Sequence, residues 1–173
     1  MTAKHNPAGH LTSAVFHHKQ AAQFHREASR HYQVGKDYAH AAHQALVAHG
    51  HGLQAIDHGN DAGAYFVEHN GKALPKYPKS VPRFPARLLE APETIQANLS
   101  GAEHHAAAAD HHDLAARHQG QASKHHDAKE YAQAAHEVQI AHGHAQRSVF
   151  HGDEAAKHHV EHLGKSGPTA EIA

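Results

Sequence analysis

Cysteine and tryptophan are absent from this 173-residue chain, and methionine occurs once. Without cysteine there is no disulfide, no thiolate metal site and no thiol nucleophile, although the compartment stays open. Large apolar residues are scarce as well: Leu, Ile, Val and Phe together number 26. That is low for a packed globule, so any core must be thin. No apolar stretch approaches the length needed to span a bilayer, and residues 1–20 lack the apolar run of a signal peptide. A cytoplasmic protein is the expectation. A net charge of −1 gives no general attraction to nucleic acid or anionic membrane, so neither is an expected partner.

What the chain has instead is alanine and histidine. Its 36 Ala favour helices and let helix axes approach closely. Its 26 His outnumber the 16 Lys and Arg. Below about pH 6 many imidazoles would charge, and a fold that buries them would loosen. A thin, Ala-lined core leaves dimerisation with a second copy, metal, or imidazole hydrogen bonding to complete it. Disorder is excluded by the regularity of the pattern.

Between Glu103 and His126, His104, His111, His118 and His125 recur every seven residues, with His105, His112 and His126 in a second file beside them. Seven residues are nearly two helical turns, so each file is a stripe along a helix. Taking the His104 file as the buried face puts Ala107, Ala108, Leu114, Ala115 and Ala122 with it, and the His105 file at its edge. At least one ring of each His doublet is then expected to look toward solvent.

The first half is repeated in the second. KDYAHAAH at Lys36 matches KEYAQAAH at Lys129, and AHGH at Ala48 matches AHGH at Ala141, both at an offset of 93. Upstream, HHKQAAQ at His17 matches HHDLAAR at His111 at an offset of 94. The one-residue change falls where a turn is expected, which marks a hairpin boundary in each half. Thr12 or Ser13 is the expected cap of a first helix running to about Gln33. Asp37 is the expected cap of a second, ending near Gly59 or a little beyond, with Tyr38, Ala41, Ala42, Ala45, His49 and Ile56 inward. Five prolines between Pro75 and Pro92, in a stretch that also holds Lys72, Lys76, Lys79, Arg83 and Arg87, read as a crossover, with a basic docking arm for an acidic partner as the alternative. The predicted fold is all-α: a four-helix bundle built from two duplicated antiparallel helical hairpins with a long Pro-rich crossover. One domain covers residues 1–173, with repeat 1 at about 12–69, the crossover at 70–101 and repeat 2 at about 102–163.

The GKDYAHAAHQAL segment from Gly35 to Leu46 resembles the turn and second helix of a tetratricopeptide repeat. The preceding helix is too long for a 34-residue period and no third unit follows, so the likeness is one of hairpin chemistry. The His doublets and AHGH tetrads resemble small histidine-rich helical proteins of bacteria, a resemblance that implies no activity and transfers no site.

In the final helix His151, Glu154, His158 and His162 are spaced three, four and four, close to one face. His158 and His162 at i and i+4 suit a divalent ion, with Glu154 completing the site or fixing a tautomer. The repeat places His58, Asp61, Tyr65 and His69 at the same positions. His49 and His142, also repeat-related, would face each other if the hairpins share a pseudo-two-fold axis. The His104, His111, His118 and His125 file is a third candidate. Zinc, nickel and copper are the fitting ions.

No Glu-x-x-His pair of a di-iron oxidase, no phosphate-cradling glycine loop and no c-type haem motif is present. A non-enzymatic transition-metal binding or buffering protein is the reading that results. A pH-responsive structural or interaction module with hydrogen-bonded core histidines stands against it. A ferritin-like di-metal or haem protein is third.

Overall fold

A computed structural model describes residues 6–35, 37–70 and 99–165 of the chain. They form four helices: α1 (Pro7–Val34), α2 (Tyr38–Asn70), α3 (Gly101–Asp127) and α4 (Tyr131–Lys165). The protein is an all-α four-helix bundle. None of these helices is long and apolar enough to cross a membrane.

The helix ends follow local chemistry. α1 starts earlier than expected because Asn6 accepts a hydrogen bond from the Gly9 amide (3.1 Å) and Pro7 occupies the first helical turn. Thr12 is interior, its hydroxyl donating to the Ala8 carbonyl. Gly35 closes α1 in the left-handed region at φ 69°. Asp37 accepts from the His40 amide, as an N-cap does. Ser100 and Glu103 make a full capping box at the start of α3. α2 continues to Asn70, well past Gly59, and Gly52, Gly59 and Gly63 lie against His112, Gln119 and Val138 rather than in turns. A Cβ on Gly52 would stand 3.0 Å from the ring of His112, so a side chain there would push the imidazole back by a few tenths of an ångström.

α1 packs on α2 and α3, and α4 packs on α3 and α2. Contacts along each interface show that every adjacent pair is antiparallel: His18 meets His112 while His25 meets His105, and His104 meets His151 while His111 meets His144. α2 and α3 therefore lie diagonally and point the same way. The start of α3 abuts Tyr32 at the far end of α1, so α2 ends and α3 begins at opposite ends of the bundle. The Pro-rich crossover assigned to this connection lies outside the described residues.

The centre is built from four seven-step files of small residues. They are Ala14, Ala21 and Ala28; Ala41, Ala48, Ala55 and Ala62; Ala108, Ala115 and Ala122; and Ala134, Ala141, Ser148 and Ala155. All are fully buried, and Ser148 is the one hydroxyl among them. On α2 this file replaces the inner face expected from Ala42, Ala45, His49 and Ile56, which are only half-buried. Alanines of this kind permit close axes but add little apolar area each, so the larger buried groups carry the remaining packing. Among these are Leu11 and Phe66 at one end, and His18, His104, His105 and His112 elsewhere.

Candidate metal centre and the imidazole ladders

Because α1 and α2 are antiparallel, seven residues up one helix match seven residues down the other. His10 meets His58 with Nδ1 atoms 3.2 Å apart, and His17 meets His51 at 3.0 Å. The next rung is Phe24, whose ring stacks on His51, and the last brings His31 Nδ1 to 3.8 Å from Asp37. α3 and α4 repeat this at the aligned positions. His104 meets His151 at 3.1 Å and His111 meets His144 at 3.2 Å. His118 and His125 then reach Glu137 and Glu130, each at 2.7 Å. Successive rungs also stack: His17 on His58, His111 on His151, and His118 on His144.

A third file runs between α1 and α3. His18 Nδ1 is 3.2 Å from His112 Nδ1, and His25 Nδ1 is 3.3 Å from His105 Nδ1. His105 also reaches His159 with Nε2 atoms 2.8 Å apart. A neutral imidazole offers one donor and one acceptor, so each ring of this file can be satisfied only in a definite tautomer. Ser148 donates to the Ala145 carbonyl at 2.7 Å and lies 3.3 Å from His112 Nδ1. Its oxygen therefore accepts, which puts the His112 proton on Nδ1. At the end of the file, His159 Nδ1 is buried without a hydrogen-bond partner.

Burial keeps these rings neutral. Desolvation, reinforced by neighbouring imidazoles, pushes His18 and His25 down to about 4 and His105 down to about 3. His112 is held well below the ordinary imidazole range for the same reasons. His111 falls to about 4, first through burial and then through His144, His151 and Arg147. His17, His104, His144, His151 and His159 are lowered too, burial being the first cause in each. Unprotonated imidazole is the form that ligates metal.

Among the described residues, one cluster brings three ligand atoms within 4.8 Å of one another: His10, His58 and Asp61. His10 Nδ1 lies 3.4 Å from an Asp61 carboxylate oxygen. His58 and Asp61 share a face of α2, and His10 comes from α1 across the hairpin. The cluster is half-open to solvent, with the His10 side chain 28% and Asp61 57% exposed.

The expected final-helix set is not gathered in one place. His151 pairs with His104 on α3, Glu154 holds Lys157, His158 lies beside His104, and His162 stacks on Tyr38. A single helix offers i and i+4 neighbours, but here the nearer partner is across the interface. Of the repeat-related set, His58 and Asp61 enter the cluster, whereas His69 bonds the Tyr65 carbonyl at 2.8 Å. His142 bonds Gln146, and His49 lies near enough to His25 and His112 to oppose their protonation, so each is engaged separately. Nor does the His105 file sit at an edge. His104 and His105 are 2% and 0% exposed, because α3 packs on two neighbours and turns one file to α4 and the other to α1. The expectation that one ring of every doublet faces solvent fails there.

His10 was missed as a ligand. A signal was present: His10 and His58 are equidistant from Val34 in the chain, as are His17 and His51. Once a hairpin is assigned, equal distance from its turn makes two residues neighbours.

No protein family, no curated protein and no solved structure matches the chain.

Proposed function

We propose that the protein is a non-enzymatic binder of divalent transition metal ions, with His10, His58 and Asp61 as its primary site. The convergence of two imidazole nitrogens and a carboxylate on one point is the observation that carries this reading. An ion at about 2.0–2.1 Å from two nitrogens 3.2 Å apart subtends roughly 100°, close to the tetrahedral angle. A fourth position is left to water or a solute ligand. Nitrogen-rich ligation favours copper(II), zinc and nickel over calcium or magnesium. The neighbouring His17–His51 rung, stacked against His58, supplies further imidazoles within the same hairpin. Titration of untagged protein with zinc against a chromophoric chelator tests this. One zinc per chain is expected, lost in His58→Ala; micromolar zinc binding that survives both His10→Ala and His58→Ala would overturn the assignment.

The depressed protonation of His18, His25 and His105 favours a second reading, a helical module whose integrity depends on neutral core imidazoles. It predicts helicity that is indifferent to chelator and sensitive to acid. Circular dichroism at pH 7 with and without chelator separates the two: metal-dependent helicity favours the first reading, chelator-indifferent helicity the second.

A further inference from the structure

We propose that His104, His151 and Glu154 form a second transition-metal site, held closed by the ammonium group of Lys157. This rests on the metal-binding reading of the His10 cluster. The sequence offsets align these three residues with His10, His58 and Asp61. The imidazole pair is made in the same way in both hairpins, Nδ1 to Nδ1, at 3.1 Å here and 3.2 Å there.

The carboxylate is what differs. Asp61 turns to His10, whereas a Glu154 oxygen holds Lys157 Nζ at 2.5 Å. Position 157 aligns with Ala64, so the first hairpin has no ammonium at the matching place. The three ligand atoms of the second set therefore do not converge, although both imidazoles are in position. A fourth donor stands by: the His158 ring lies 5.7 Å from that of His104, where the first hairpin has Tyr65.

Charge explains the asymmetry further. Lys157 is close enough to His104 to oppose a positive charge there, and Arg147 does the same at His151, where the first hairpin has Gln54. A dication entering the second site meets both, against the attraction of Glu154 at each ring and of Glu103 at His104. The second hairpin thus carries two cations at positions where the first has Ala64 and Gln54, and Lys157 is the one that occupies the carboxylate. The latch itself is reversible, because Lys157 is 67% exposed on a flexible stem and an exposed ion pair contributes little.

Lys157→Ala, which installs the residue found at Ala64, is the test. Zinc is titrated against a chromophoric chelator while the imidazole ¹⁵N resonances are followed. Lys157→Ala is expected to bind a second zinc about tenfold or more tightly than wild type does, with His104 and His151 shifting. Lys157→Arg keeps the cation and is expected to behave as wild type. A second-site affinity within twofold of wild type in Lys157→Ala, or an equal gain in Lys157→Arg, would overturn the latch. The same titration in a His58→Ala background reads the second site alone. Loss of zinc at His10 and His58 in wild type would sink the primary assignment, while the gain in Lys157→Ala still reports on the second.

Discussion

His18 meets His112, the residue that the 94-position offset aligns with it, Nδ1 to Nδ1 at 3.2 Å. The two rings are 1% exposed each and lie where α1 crosses α3. Like positions touching like positions means that the two hairpins face each other about this point. Neighbouring contacts then come in related but unequal pairs. His25–His105 on one side of the dyad corresponds to Gln119 and Leu11 on the other, and His105–His159 corresponds to Leu11 and Phe66. In the core, Leu11 and Phe66 stand at one end where His105 and His159 stand at the other.

The central pair should behave as a unit. Replacing His112 with Leu leaves His18 Nδ1 without its partner, while the Ser148 hydroxyl keeps its bond to the Ala145 carbonyl, and an orphaned buried polar group costs about 1–3 kcal/mol. Replacing both histidines with Leu removes donor and acceptor together, so the double variant should lose less stability than the two singles combined. A coupling of about 1 kcal/mol or more is expected from urea unfolding of the four-protein cycle. Simple additivity would mean the hydrogen bond contributes nothing.

Acid should unfold the bundle through this file. His18, His25 and His105 titrate at about 4, 4 and 3 when folded, below the ordinary 6.5 of an unfolded chain. Their stabilising contribution is therefore complete above pH 6.5 and is lost as pH falls, because the unfolded state takes up protons first. Each imidazole contributes about 1.4 kcal/mol per pH unit in this window, so the three together remove roughly 4 kcal/mol per unit. Against a typical domain stability of about 5–15 kcal/mol, helicity should collapse between about pH 6 and 4. His112, held well below the ordinary range, and His17, lowered too, steepen the loss by taking up their protons only on unfolding. Far-ultraviolet circular dichroism across the range checks it; a flat signal to pH 4 would contradict the burial of these groups.

The bundle itself could be read from spacing, since seven-step Ala files and an offset that changes by one at the turn depend only on helical geometry. The faces could not. A helix flanked by two neighbours has two inward directions, so a doublet such as His104–His105 can be buried twice. Nothing in the sequence of α3 alone separates that from one inward and one outward ring. The ligand set was half legible for a related reason. His58 and Asp61 share one helix, whereas His10 joins them only through the pairing of α1 with α2. Ser148, one hydroxyl in a file of alanines, fixes a tautomer and gives no such sign in sequence.

The inequality of the two ends gives a gain-of-stability prediction. Leu11 and Phe66 stand where His105 and His159 stand, and His159 Nδ1 is buried without a partner. His105→Leu with His159→Phe should copy the hydrocarbon end onto the imidazole end, removing one orphaned polar atom and a strongly depressed titrating group. His25 loses its bond to His105, which offsets part of the gain. A net increase of about 1–2 kcal/mol at pH 7 is expected in urea unfolding, with a larger one at pH 5.5 because fewer protons are taken up on unfolding. An acid midpoint unchanged from wild type would show that this end does not carry the sensitivity.

Metal at His10, His58 and Asp61 should tie α1 to α2 far from their shared turn, near the N-terminus of α1. An ion that binds only the folded state stabilises it in proportion to the logarithm of its concentration over Kd, about 2.7 kcal/mol at a hundredfold excess. For a chain of this length that raises Tm by roughly 5–10 °C. Asp61→Asn keeps both imidazoles but removes the carboxylate charge. If it weakens binding tenfold, the shift at the same zinc concentration falls to about half, since the remaining tenfold excess is worth about 1.4 kcal/mol. His58→Ala should abolish the shift, and chelator should reverse it in wild type. Lys157→Ala should add to it, because the second site also joins two helices, α3 to α4, through His104 and His151. A zinc-induced shift of equal size in wild type and His58→Ala would place the stabilising ion elsewhere on the chain.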